Sequence, residues 1–361
     1  MHINTAAGPI SPDALGKTLM HEHLIIGMPG WETDTTQVRT SHRENVAICL
    51  DKIAELQAAG ISSLLDPCPN DLGRDVPLMA EVAAKTSFNI IFATGLYHEQ
   101  LGAAPYWRFR EMFDPDIESR MAELFITELT EGVGGTGIKA GVIKVATHAP
   151  PFTDYEKKIF RAAARASNAT GAPITTHTDG VLGEEQIALL TGLGVPVHKI
   201  IVGHSCGSAD HAYHRRIVEK GAYIGFDRFG AALLQADDTR VECLTKLVRG
   251  GHGAQIVVSH DCVWCWRGEH LPAAILDAVD AGGSSLRFSR VIVPMLRESG
   301  LTEGEIDALL IDNPRRYFAG EPTVRFPRSY TPTDFAGFAA NHGGDRRSTK
   351  GEDKSPNGAA G

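Results

Sequence analysis

Eight short apolar runs, each followed by a stretch of helical periodicity, constrain this chain more than any other feature. The runs are rich in Val, Ile and Thr and span residues 17–24, 61–67, 88–97, 141–147, 173–177, 199–204, 222–226 and 255–260. They are nearly continuous in apolar character, which is the pattern of parallel strands covered on both faces. Between them, segments 42–59, 114–132, 154–170, 184–193, 209–220 and 231–249 repeat apolar residues every three or four positions, as one buried helix face requires. Strand–helix alternation predicts a parallel sheet. Eight repeats, against a typical length of about 250 residues or more for such barrels, predict closure into an α/β (β/α)8 TIM barrel. The alternative is an open doubly wound sheet, but no GxGxxG follows the first run. The periodicity stops after Phe318, so residues 1–319 are expected to form the barrel domain. Residues 320–361, rich in Gly, Pro, Ser, Asn and mixed charge, are expected to form a disordered tail.

Charge and composition exclude several partner classes. Asp and Glu number 44 against 35 Lys and Arg, with no basic run, which disfavours nucleic acid and anionic membrane surfaces as partners. No 18-residue apolar run is present, so no membrane span is expected. Six cysteines in 361 residues do not make a disulfide scaffold. Only Cys262 and Cys265 share a Cys-x-x-Cys spacing; with no second pair they are read as free thiols. The N-terminal segment has no basic start followed by an apolar stretch, and the expectation is a reduced, cytoplasmic protein.

Polar residues interrupt the runs at one recurring place, the strand end. The first run ends MHEHL, the fourth carries VIKVAT, the fifth ends TTHTD, the sixth GHS, the seventh GFDRFG and the eighth SHD. In a barrel the C-terminal strand ends converge on one mouth, where the active site lies. His21 and His23, two apart on a strand, share one face, and Glu22 points away. Two convergent imidazoles suit a metal such as zinc, although one alone is as readily a hydrogen-bonded core residue. Lys144 inside GVIKVAT is either a buried ammonium with a partner, an outward lysine, or a functional amine. His177, His204 and Asp261 each have an ordinary packing or capping explanation singly. Falling together at one mouth, the six form a candidate metal site.

Four neutral imidazoles and one carboxylate leave two divalent cations short of anionic charge. A Lys144 amine carboxylated by CO2 supplies a bidentate anion, and two metals about 3.5–4 Å apart can share a hydroxide and polarise a substrate oxygen. Asp66 and His260 are placed where partners for the histidines are expected. His98 and His148, just beyond the third and fourth runs, are expected at the surface, with lining of the pocket as the alternative. Trp264 and Trp266, in CVWCWRGEH, suggest an apolar wall for an acyl chain or ring, or else rim packing. A barrel with a merely structural zinc would need four closed ligands and no lysine, and a glycosidase would need acids where histidines stand.

The strings GKTLMHEHL, AGVIKVAT, PITTHTD, IIVGHS, YIGFDRFG and IVVSHD, in that order, resemble the phosphotriesterase family of the amidohydrolase superfamily, including its phosphotriesterase-like lactonases. The resemblance runs from Gly16 to Phe318. It implies that His21, His23 and Asp261 hold a more buried metal, that His177 and His204 hold a more exposed one, and that Lys144, as N6-carboxylysine, bridges both with a hydroxide. It also implies that Asp261 shuttles a proton, that Tyr97 in ATGLY contacts the metal centre and the substrate carbonyl, and that Arg228 shapes the leaving-group side. Two divalent ions per chain are implied, zinc first, with Co, Mn or Fe as alternatives. The expected activity is a lactonase opening a lactone ester, with promiscuous organophosphate triesterase activity. A dedicated phosphotriesterase or carboxylesterase on the same centre is the alternative. A phosphorylated substrate is disfavoured, because Arg267 stands without a basic cluster. The segment after the eighth run is short for a long-chain acyl-homoserine lactonase. Family members are commonly dimers, so a homodimer is expected.

Overall fold

In the computed structural model, which describes residues 2–37, 39–268 and 284–324, each of the eight runs contributes one parallel strand. These are β1 (Thr18–Leu19), β2 (Ser63–Asp66), β3 (Asn89–Gly95), β4 (Val142–Ala146), β5 (Ile174–His177), β6 (Ile200–Val202), β7 (Tyr223–Phe226) and β8 (Ile256–Val258). Each pairs with the next in chain order, and all pairings are parallel. The Met20 amide donates to the Val258 carbonyl at 3.2 Å and joins first strand to last, so the sheet closes as a (β/α)8 TIM barrel.

One predicted strand divides in two. The run 17–24 is broken at Met20–Glu22 and resumes as His23–Ile26, which pairs in parallel with Val263–Trp266 above the barrel rim. His21 therefore lies in the break instead of on a strand. The physical reason is the seam itself, where β1 and β8 both turn so that polar side chains between the two pairings can face inward.

The near-continuous apolar character of the strands follows from double burial. Leu65, Ile91, Val142, Ile201, Tyr223 and Val257 fill the barrel interior, whereas Leu64, Ile90, Ile143, Ile174, Ile200 and Ile224 face the helices. Alternation then dictates that Lys144, two residues after inward Val142, points into the barrel. The six predicted helices form as His42–Ala58, Ile117–Thr130, Asp154–Thr170, Gly183–Gly192, His211–Glu219 and Asp237–Leu247. Ser41 with Glu44 and Thr153 with Glu156 close reciprocal capping boxes at two of their starts. Short helices at Val76–Ala84, Ala104–Glu111 and Asn313–Ala319 escape periodicity because each shows too few turns. An antiparallel pair, Ile3–Thr5 with Gly8–Ile10, lies at the N-terminal side, and Ile3 packs into the interior cluster with Tyr223 and Tyr317.

The final helix ends at Ala319 with Gly320 in the left-handed region. Residues just beyond are tied back, with Glu321 paired to Arg315 and the Thr323 hydroxyl donating to the Gly221 carbonyl. The rest of the predicted tail, 325–361, lies outside the described residues. Among the described residues no helix is long and apolar enough to cross a membrane.

Gly95, at φ +141°, stands where a Cβ would fall 1.7 Å from the Lys144 carbonyl oxygen. Gly95→Ala is expected to destabilise the fold by about 3 kcal/mol, measured by urea denaturation, because β3 and β4 must separate beside Lys144. A loss below about 0.5 kcal/mol, the usual range of surface substitutions, would show that this approach is not needed.

Candidate metal centre

The inward-facing strand ends bring the predicted residues together at the C-terminal mouth. Asp261 is the meeting point. Its Oδ1 lies 3.2 Å from His23 Nε2 and 3.4 Å from His21 Nε2, and its Oδ2 lies 3.6 Å from His204 Nε2. Lys144 Nζ is 3.4 Å from His21 Nε2. The His177 ring stands 4.6 Å from that of His204, with its Nδ1 3.4 Å from the Tyr97 hydroxyl and its Nε2 3.4 Å from Asp179 Oδ1. Arg228 donates through Nε to Asp261 Oδ2 at 2.9 Å, not to its neighbour Asp227.

Buried carboxylates behind the imidazoles decide which nitrogen each presents. Asp227 Oδ1 faces His204 Nδ1 at 3.0 Å and its Oδ2 faces His21 Nδ1 at 3.3 Å. Asp66 faces His23 Nδ1 at 3.2 Å and also accepts from the Leu24 and Cys68 amides. Nδ1 is hydrogen-bonded in His23 and His204 and lies beside a carboxylate in His21, where no hydrogen bond forms, and in all three rings Nε2 turns toward Asp261, as in an imidazole held for metal. Gly225 makes room for the Asp227 carboxylate, since a Cβ there would fall 2.4 Å from its Oδ2.

The backbone at two of these positions is strained. His204 and Asp261 adopt φ of +56° and +58°, unusual for non-glycine residues and costing about 1–3 kcal/mol each. The His204 amide is held at 2.9 Å by Asp227 Oδ1 and the Asp261 amide at 3.0 Å by the His21 carbonyl.

Electrostatics favour a cation in this group. Burial lowers the pKa values of His21, His177 and His204, the second to about 3, and keeps their lone pairs available. For His23 burial acts the same way, but hydrogen bonds to Asp261 and Asp66 outweigh it and raise its pKa. Asp261 stays ionised: burial raises its pKa, but His204, Arg228 and His21 together draw it well below the ordinary range. Burial pushes Lys144 down to about 8, although Asp261 and Asp227 pull upward. The donor atoms of His21, His204 and Asp261 all lie within 4.8 Å of one another, a nitrogen and oxygen set that fits a borderline divalent metal.

Other predicted residues have distinct placements. Trp266, like Tyr97 and Met28, packs against the small cluster of Ile26, Cys68 and Leu72, whereas Trp264 packs against the main core and donates through its indole N–H to Ser285 at 2.9 Å. His260 touches no ligand histidine, because its Nδ1 is held by Glu22 at 2.6 Å. His98 is buried, not at the surface, stacked on His148 and set against Tyr97, and burial lowers its pKa to about 4. His148 is half-exposed and paired with Asp179 at 2.6 Å. Arg267 is spent on Asp75 and the Gly73 carbonyl. No cysteine is in a disulfide. Asp227 and Asp179 were not singled out from sequence, although the spacing Gly225-x-Asp227 at the end of β7 carries the inward parity that would have found Asp227.

A model of the phosphotriesterase family matches residues 1–318. An organophosphorus hydrolase from Deinococcus radiodurans is similar at 41% identity and a TM-score of 0.84, covering 88% of this chain and 97% of that one. A PTE-like lactonase variant from Deinococcus radiodurans is similar at 40% identity and a TM-score of 0.83, covering 88% and 99%. The aryldialkylphosphatase of Saccharolobus solfataricus is 31% identical, over 84% of this chain and 95% of its own.

Asp227→Asn keeps the shape but weakens the grip on two imidazoles. It is expected to lower divalent-metal affinity by about 10–100-fold with a near-native melting temperature, as read by equilibrium dialysis and calorimetry. Unchanged affinity would remove Asp227 from the site.

Proposed function

The chain belongs to the phosphotriesterase family, and from that premise we propose that it is a binuclear metal-dependent hydrolase that opens lactone esters and also acts promiscuously on organophosphate triesters. The observation that carries this reading is the convergence of three imidazole Nε2 atoms and the Lys144 amine around one ionised carboxylate, with a fourth imidazole alongside. His21, His23 and Asp261 would hold one metal, His177 and His204 the other, and Lys144 as its carbamate would join both. When bound, such a pair supplies Lewis acidity at the substrate oxygen and acidifies water at neutral pH. Zinc suits the donor set first, with Co, Mn and Fe as alternatives.

The chain's own residues supply the rest. The neutral fraction of the Lys144 amine, enlarged by the burial that lowers its pKa to about 8, attacks CO2 through nitrogen to give a carbamate and release one proton. Asp261, ionised and held through Oδ2 by Arg228, is placed to take the proton of the attacking water. Tyr97 keeps its hydroxyl proton because burial raises its pKa, so it serves as a donor to the ester carbonyl oxygen. Arg228, anchored on Asp261, faces the leaving-group side. Trp266 and the apolar residues around Tyr97 offer a wall for the ring or acyl part of a lactone.

A neighbour described as a PTE-like lactonase supports lactone as the primary substrate class. The aryldialkylphosphatase relative favours the second reading, a dedicated phosphotriesterase on the same residues. Hydrolysis of γ- and δ-lactones beside a chromogenic triester, on protein of measured metal content, separates them. About two metals per chain and larger kcat/KM on lactones, both lost to chelation, are expected. The reverse ratio would make the triester primary, and one metal or none would overturn the binuclear reading.

Lys144→Ala is expected to lose more activity than the roughly 100-fold limit typical of outer partners, with partial return on adding short carboxylic acids. Full activity in that variant excludes the carbamate. For metal-free protein given zinc at one fixed concentration of dissolved CO2, the rate of reactivation should rise with pH and level off above about 8, because only the neutral amine reacts. A rate still climbing toward 10, as for an ordinary lysine, would contradict the buried-amine account.

A further inference from the structure

We propose that Glu22, the middle residue of His21-Glu22-His23, is a positioning residue that holds Asp261 in its ligand conformation; this rests on the metal-centre reading above. Glu22 is completely buried, yet no lysine or arginine among the described residues pairs with it. Its carboxylate is instead saturated by donors. Oε1 accepts from the Ser259 hydroxyl at 2.8 Å, the His260 amide at 3.0 Å and His260 Nδ1 at 2.6 Å. Oε2 accepts from the Ser285 hydroxyl at 2.8 Å.

Three of these four contacts fall on the two residues immediately before Asp261. The Asp261 backbone is left-handed, and among the described residues its main-chain restraint is the bond from its amide to the His21 carbonyl. Next along, the His23 amide is bonded to the Cys262 carbonyl at 2.8 Å. Main-chain bonds from His21 and His23 thus hold Asp261 and Cys262, while the intervening Glu22 side chain holds Ser259 and His260. The ligand-bearing ends of the first and eighth strands are locked in one register by three consecutive residues.

The same carboxylate reaches further. Ser285, which donates to Glu22, accepts from the Trp264 indole at 2.9 Å, and His260 Nε2 accepts from the Phe288 amide at 2.9 Å. With Phe288 donating to Nε2, the His260 proton belongs on Nδ1, facing Glu22. A buried acid without a cation is a poor device for stability alone. Fixing a strained ligand gives it a purpose.

The full-length wild type, Glu22→Gln, Glu22→Ala and Ser285→Ala are compared by zinc competition with a chromogenic chelator, thermal unfolding, and kinetics on a lactone. Glu22→Ala is expected to bind zinc about 10–100-fold more weakly. Glu22→Gln, which keeps an acceptor for Ser259 and His260, should recover most of that affinity. Ser285→Ala, which removes the Oε2 contact and leaves those to Ser259 and His260, should leave zinc affinity intact. If Glu22→Ala does not fold, His260→Asn, which breaks the Phe288 link and weakens the Glu22 link, replaces it with the same expected loss. Zinc affinity within twofold of wild type alongside a lowered melting temperature overturns the proposal, because the role is then structural only. Equal losses in the Gln and Ala variants also overturn it, because charge and not placement is then what matters. A wild-type chain that binds no divalent metal overturns the functional reading and this inference with it. A metal-binding wild type with unaffected variants overturns this inference alone.

Discussion

The site depends on buried carboxylates set behind the imidazoles: Asp227 bonds His204 Nδ1 and lies 3.3 Å from His21 Nδ1, and Asp66 bonds His23 Nδ1. With Nδ1 set against a carboxylate, each ring has one orientation and one remaining nitrogen, and all three remaining nitrogens face Asp261. The barrel makes this possible because strand alternation aims side chains from β2, β7 and the β1–β8 seam into one enclosed volume. Asp66 and Asp227 are buried there, so solvent screens them little and they keep their hold on the rings.

Enclosure also sets the charge states. The mouth gathers Lys144 and Arg228 against Asp227 and Asp261, with Asp179 at the rim. Arg228 remains charged, since its bond to Asp261 outweighs the burial penalty. Lys144 has no such contact. Its amine faces His21 Nε2, an acceptor that gives an ammonium no countercharge, and burial prevails over the more distant acids. One buried base thus moves toward neutrality while its neighbour stays an ion, because a guanidinium is far more basic than an amine and Arg228 also has direct carboxylate contacts.

Much of the fold is legible in the order of residues. All eight strands fall inside the predicted runs, and Asp154–Thr170 forms over the whole predicted span, because Thr153 and Glu156 mark its start and Gly171 its end. Failures cluster where long-range contacts override local pattern. The run 17–24 reads as one strand, since nothing local reveals that Met20 bonds Val258 of β8 below His21 while His23–Ile26 pairs with the separate strand Val263–Trp266 above it. His98 reads as a rim residue, since its burial comes from Tyr97 and His148. His260 reads as a partner for the ligand histidines, whereas its ring is taken by Glu22 from the other end of the chain.

By itself the sequence determined the eight-fold repeat, the residue types at the strand ends, and therefore the chemistry available at one mouth. These follow from periodicity and from the high cost of placing His, Lys and Asp in apolar strands without a use for them. The tertiary structure alone decided which nitrogen each histidine presents, which lysine state burial favours, that Arg228 pairs with Asp261 and not Asp227, and that Glu22 is buried with hydroxyl and imidazole donors. Those outcomes turn on distances of 3–4 Å between residues up to more than two hundred positions apart. Local sequence cannot encode such distances, because only closure of the barrel brings the two ends of the chain into contact.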